Sequence, residues 1–241
     1  MSQQSAGSKV IVGDASAELR AIQILAVTLS NAAIWTDDNV AELSHKPIPP
    51  LLRGAAKAIS LASVSGLETP VEIWALAARN TFELYLRLKH ILLSEENSQA
   101  WREEAVTDQL QIYEGILKQN PPEPHKSIFH AELERVRRHA VDRSLRDTTR
   151  LLRIRDLARE THLEGEYDAF YKVYSKFVHP SSFFINWPIA ASTPMYRYAF
   201  VFNVQFYGHL ILEELHQSNG LPTPELIVEA EKKLDSMLRQ I

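Results

Sequence analysis

The sequence predicts an all-α protein, a multi-helix bundle of about seven to eight helices, on three observations. Apolar residues recur at the three- and four-residue spacing of a helix face through most of the chain. No stretch alternates apolar and polar residues between Asn-Gly or Asp-Gly turns, as a half-buried hairpin would. The pair Thr-Pro occurs at Thr69-Pro70, Thr193-Pro194 and Thr223-Pro224, each time a capping side chain followed by the residue best tolerated in a first helical turn.

The elements follow in order. A first helix starts near Asp14 or Ser16 and runs to about Trp35, with Leu19, Ile22, Ala26, Leu29 and Ala33 as its apolar stripe. Three prolines in HKPIPP make Thr36 to Pro50 a loop. A second helix covers Leu51 to Ser65 and stops at Gly66. Thr69-Pro70-Val71-Glu72 opens a long third helix, to about Leu93, with Glu72 completing a capping box. A fourth begins at Ser98, with Leu110, Tyr113, Ile116 and Leu117 on one face, and ends before Pro121, Pro122 and Pro124. A charged helix runs from Ser127 to about Glu160 with a break near Thr148, its packed side carrying Phe129, Leu133, Val136 and Ala140. An aromatic helix spans Glu166 to Val178 and must stop at His179, because Pro180 disfavours helical geometry in the residue before it. Two last helices open at Thr193 and Thr223, separated by Gly220. Residues 1–13 read as a flexible N-terminus and 14–241 as a single helical domain.

Composition narrows the function classes. Of 241 residues, 45% are hydrophobic and 23% charged, which is globular usage. There is no cysteine, so disulfides, thiolate metal sites and a cysteine nucleophile are excluded and a reducing cytoplasm is the expected compartment. No basic segment followed by an apolar run marks a secretory signal. The most apolar stretch, Tyr198 to Leu212, is interrupted by Asn203, Gln205 and His209, so it reads as a buried central helix and no membrane partner is expected. The net charge of -4 gives no global pull toward nucleic acid, yet Arg135 to Arg159 holds nine Arg against three Asp, a local excess of six. That run either clamps phosphates or forms a solvated face.

Two segments can carry chemistry. On the third helix Arg79, Glu83, Arg87 and His90 follow at spacings of four, four and three, along one stripe of an otherwise apolar helix. A charged stripe there needs partners, since an unpaired buried charge is costly, so Arg79 and Glu83 pair with each other or with a polar group from another helix. The second segment is YDAFYKVYSKFVHPSS, in which Tyr171, Ser175 and His179 line up at spacings of four. His179 ends its helix, where the dipole favours a cation and the imidazole can act as acid or base. The structural alternative is a histidine bonded to terminal carbonyls while Tyr167, Phe170, Tyr174 and Phe177 pack. There is no HExxH cluster, glycine-rich phosphate loop or GxSxG elbow, so neither metal nor cofactor is expected.

Together, ARNTFELYLRLKHIL and YKVYSKFVHPSS resemble a bacterial family of uncharacterised all-helical proteins, in which an Arg and a Glu one turn apart accompany a later Tyr-Ser-x-x-Val-His-Pro-like segment. The resemblance implies that Arg79 and Glu83 approach Tyr174, Ser175 and His179. More distantly the arrangement looks like the HEPN superfamily (higher eukaryotes and prokaryotes nucleotide-binding), helical proteins that often act as metal-independent ribonucleases in bacterial defence and toxin systems. Its motif is an Arg, four to six residues, then His. Counting back from His179, those windows hold Tyr174, Val173 and Lys172, so only Lys172 can stand in for the arginine, as a point charge without the bidentate fork. Arg79-Asn80 matches the motif's opening dipeptide, with Leu84, Tyr85 and Leu86 where its His would stand.

The resemblance implies a HEPN-like core and a metal-independent ribonuclease or RNA-binding component. His179, Arg79, Glu83, Ser175 and Tyr174 are then the expected catalytic set, and Lys172, Tyr171 and Arg87 the expected substrate-binding residues. RNA or a nucleotide, and a second copy of the chain or another protein, are the expected partners. The rival expectation is a non-catalytic interaction module whose Arg79, Glu83 and His179 form a structural network while the Arg-rich helix docks an acidic partner or a nucleic-acid backbone.

Overall fold

The computed structural model describes residues 10–11, 13–40, 46–64, 66–147 and 152–238, and among them it is helical without a strand. The break expected near Thr148, and most of the expected flexible tail, lie outside the described residues. The described residues gather into two compact units: one from Met1–Lys89 and Ile154–Ile241, the other from His90–Arg153.

In the first unit α1 (Ala15–Asn39) packs along α2 (Ile48–Ser63). Asp14 caps α1 by accepting the Ala17 N–H at 2.9 Å. The helix runs four residues past the expected stop at Trp35, and Asp37, Asp38 and Asn39 sit in its last turn facing water. Nor do the prolines form a loop throughout: Pro49 and Pro50 lie in the first turn of α2, where a missing N–H leaves no intrahelical bond unmade. By length and composition α1 could cross a membrane, and 44% of its apolar window is buried within the protein.

The helix α3 (Val71–Leu93) starts at the predicted Thr-Pro signal. It carries Trp74, Phe82 and Leu86 into the core, each at most 1% exposed. The chain from Ile154 is cut into short pieces, so the described residues form more helices than expected: α6 (Ile154–Glu160), α7 (Glu164–Glu166), a π-turn over Tyr167–Tyr171, α8 (Lys172–Val178), α9 (Ser182–Asn186) and α10 (Pro188–Ala191). The π-turn joins α7 to α8 without a break and lies under Tyr171, one of the site candidates. Ser181 caps α9 through the Phe184 N–H.

Two long helices complete this unit. The first, α11 (Pro194–Asn219), ends where Gly220 turns left-handed, φ 68°, and its N–H returns to the His216 carbonyl. The second, α12 (Thr223–Leu238), packs on α1, as does α11. An aromatic cluster ties α3, α8 and α11 together: Phe82 lies 4.9 Å from Tyr207, and Phe177 lies 5.0 Å from Phe200 between ring centres.

In the second unit α4 (Glu95–Lys118) starts three residues earlier than expected, because Ser94 caps it and Glu95 and Glu96 complement the positive end of its dipole. Its partner α5 (His125–Asp142) ends at Asp142, short of the expected Glu160, with Ser144 beyond it at φ 54°. Val106 and Leu110 of α4 meet Leu133, Val136 and Ala140 of α5 in a core of their own. The arginines of α5 are largely answered locally, Arg135 by Glu132 at 2.6 Å and Arg137 by Glu134 at 2.7 Å, on exposed faces where such pairs contribute little.

Candidate functional site

Arg79 emerges from the middle of α3, and the guanidinium is the hub of a polar cluster. Its Nε donates to Glu83 Oε1 at 2.8 Å, one helical turn away. Its Nη2 donates to the Tyr171 hydroxyl at 2.8 Å, and its Nη1 lies 3.2 Å from His179 Nε2. The guanidinium carbon also stands 5.0 Å from the centre of the Tyr171 ring, within cation–π range.

The backbone explains how these groups arrive. Tyr171 closes the π-turn and stacks on Tyr167, ring centres 4.8 Å apart. His179 follows the last turn of α8 with φ −112° and ψ 155°, the extended geometry that Pro180 requires of it, and this turns the imidazole out of the helix. Phe177 is anchored among Phe183, Phe184, Tyr196 and Phe200, which fixes the chain two residues before His179.

The electrostatics are those of a half-open site. The Arg79 and Glu83 side chains are 22% and 24% exposed, and His179 is exposed. Burial opposes the Arg79 charge, but the Glu83 carboxylate and the Tyr171 hydroxyl outweigh it, so the guanidinium is held above its ordinary value. Burial, with the Glu83 charge beside it, pushes the Tyr171 phenol up to about 12 against the opposite pull of Arg79. Tyr171 therefore keeps its proton at neutral pH. A guanidinium has five N–H groups and three are engaged here, which leaves one on each Nη for a further acceptor. Because it can only donate, His179 must meet it with the Nε2 lone pair.

The structure thus brings together Arg79, Glu83, Tyr171 and His179. Tyr174, expected beside them, is turned into the core: it is fully buried against Phe82, Phe170 and Phe200. Its place is taken by Tyr171, one turn earlier, which had been expected to bind substrate. Ser175 lies on the right face but its hydroxyl donates to the Tyr171 carbonyl at 3.0 Å, a bond within its own helix. Lys172 is exposed and pairs with Asp168 at 3.3 Å. Arg87 is half-buried one turn beyond Glu83, and His90 is buried near the end of α3. Among the described residues no three His, Asp or Glu side chains gather as a metal-binding set.

Two polar groups in the first unit were not singled out from the sequence. Glu18, fully buried in α1, faces Arg197 of α11 at 3.2 Å, and buried Gln205 bonds the backbone of Ile11. Both carry a readable signal, a carboxylate or amide at a position where the helical stripe calls for an apolar residue.

Residues 55–186, more than half of the chain, match the model of a family of unknown function (DUF5677). No curated protein and no solved structure matches the chain.

Proposed function

This chain belongs to that family, and for it we propose a metal-independent RNA-cleaving site built on Arg79, Glu83, Tyr171 and His179, in a protein of HEPN-like ancestry from a bacterial defence or toxin system. The observation that carries the reading is the contact of Arg79 with an exposed imidazole and a protonated phenol at once, with an N–H to spare on each Nη. An incoming phosphate takes up Arg79 N–H groups and draws the guanidinium from His179, freeing the Nε2 lone pair. His179 then removes the proton of the neighbouring 2′-hydroxyl. The 2′-oxygen attacks phosphorus, the bond from phosphorus to the 5′-oxygen breaks, and Tyr171 supplies the proton that the departing oxygen takes. The products are a 2′,3′-cyclic phosphate and a 5′-hydroxyl. Arg79 stabilises the extra charge on phosphorus oxygens, and Glu83 holds Arg79 in place.

The test is RNA cleavage in excess chelator. Wild-type protein should cut, with His179→Ala and Arg79→Ala each lowering the rate by roughly 10²- to 10³-fold while the protein stays folded. Intact RNA, or equal cutting by His179→Ala, overturns the proposal.

One observation favours a second reading. Two contacts of Arg79, to Tyr171 and His179, already join α3 to the Tyr171–His179 segment, which is what a fold-specifying network in a non-catalytic interaction module would do. That reading expects the Arg79 and His179 variants to lose stability and no activity.

A further inference from the structure

The first unit holds a cavity of about 450 Å³ that the Arg79 cluster does not use. Ala17, Ala21, Ile24 and Leu25 of α1, Ile227 of α12 and Ile11 bound it. The space is half open to the surface, and ligand pockets begin at about 300 Å³.

Its wall has little to offer a polar guest. The Thr28 hydroxyl is spent on the Ile24 carbonyl at 2.8 Å, and His209 of α11, the other polar side chain of the wall, is itself engaged within the protein. At the rim stand Arg20, engaged by Asp235 at 2.7 Å, and Glu231. Asp235 answers the Arg20 charge, so Glu231 is the further charge at the rim and it disfavours an anion.

The Ile11 wall is held by buried polar groups. Gln205 Oε1 accepts the Ile11 N–H at 3.0 Å, and its Nε2 donates to the Ile11 carbonyl at 2.8 Å, so both ends of one amide are spent on one residue. Glu18 accepts the Gly13 N–H at 2.6 Å while facing Arg197. A buried amide or carboxylate is costly unless bonded, so these two groups hold the Ile11 and Gly13 backbone. The cavity therefore has a fixed wall on that side.

We propose that this cavity binds a neutral small molecule with a hydrocarbon body. The size of the space, its largely apolar wall and the pairing of Arg20 with Asp235 favour that class over an anion or a metal.

The test titrates purified protein with N-phenyl-1-naphthylamine, a neutral apolar dye that brightens out of water. The expected result is saturable one-to-one binding, displacement by 1-decanol, and affinity at least tenfold weaker in Ala21→Trp and Ile227→Trp, which fill the space from opposite sides. Trp187→Ser, which removes an exposed aromatic elsewhere on the surface, should bind as wild type does. Melting curves identify any filling variant that fails to fold, and the other then decides. Displacement from the wild-type protein stands whether or not either variant folds. Absence of saturable binding, failure of decanol to compete, or undiminished binding in a folded filled variant overturns the proposal, as does loss of binding in Trp187→Ser.

Discussion

Arg79 Nη1 and His179 Nε2 lie 3.2 Å apart although a hundred residues separate them in the chain. Since a guanidinium never accepts, this contact assigns the lone pair of the ring to Nε2 and the ring proton to Nδ1. Nitrogen-15 spectra recorded above the imidazole titration range should show His179 in that tautomer, and Arg79→Met should release the preference. A ring protonated on Nε2 in the wild-type protein would contradict the contact.

Among the described residues, Glu83 is the only carboxylate on the Arg79 guanidinium, at 2.8 Å. Glu83→Gln keeps the shape and removes the charge. Because both side chains retain about a quarter of their exposure, the expected loss is about 1–2 kcal/mol, less than for a sealed ion pair, and a few degrees in Tm. Denaturant unfolding measures it, and no change would mean that the pair is ornamental to the fold.

The Tyr171 phenol titrates at about 12 in the folded protein against an ordinary 10.0. The folded state therefore holds this proton more tightly than the unfolded chain does. Its contribution to stability is complete below pH 10 and is lost as the pH rises through about 12. The difference in phenolate absorbance between wild type and Tyr171→Phe, followed against pH, should place this transition near the upper end of that window. A difference spectrum complete by pH 10 would remove burial and Glu83 as its causes.

Gly208 lets α11 approach α1. A Cβ there would sit 2.6 Å from Leu25 Cδ2, closer than real Cβ contacts come. Gly208→Ala gains helix propensity of roughly 0.5–1 kcal/mol but must displace a side chain that is 2% exposed, and overpacking of that kind costs about 1–3 kcal/mol. Net destabilisation is expected, with Leu25→Ala in the same chain relieving part of it. A double variant no better than the sum of its parts would show that the two positions do not meet.

Local signals in the sequence account for the helices that the structure bears out most closely. Thr69-Pro70 placed the start of α3, although the Thr69 hydroxyl donates to the Ala62 and Gly66 carbonyls and Thr193 makes no side-chain cap, and Gly220 placed the end of α11, because a proline in a first helical turn and a left-handed turn are decided by the residues themselves. The spacing of Arg79 and Glu83 made their pairing readable for the same reason. The π-turn was not legible, since its extra residue per turn leaves no composition signature in Tyr167–Tyr171. Nor could spacing decide between Tyr171 and Tyr174. They are three residues apart on one helical face, and what separates them is Phe200 of a later helix, which closes over Tyr174 and leaves Tyr171 to Arg79.

The central claim is that His179 and Arg79 act together on a ribose phosphate. An oligodeoxynucleotide carrying a single ribonucleotide, incubated with the protein in excess chelator, tests it most directly. The expected result is a cut only after the ribonucleotide, leaving a 2′,3′-cyclic phosphate, at a rate that folded His179→Ala lowers by roughly 10²- to 10³-fold. Cleavage at deoxynucleotides, cleavage undiminished by the His179 substitution, or an uncut strand would contradict it.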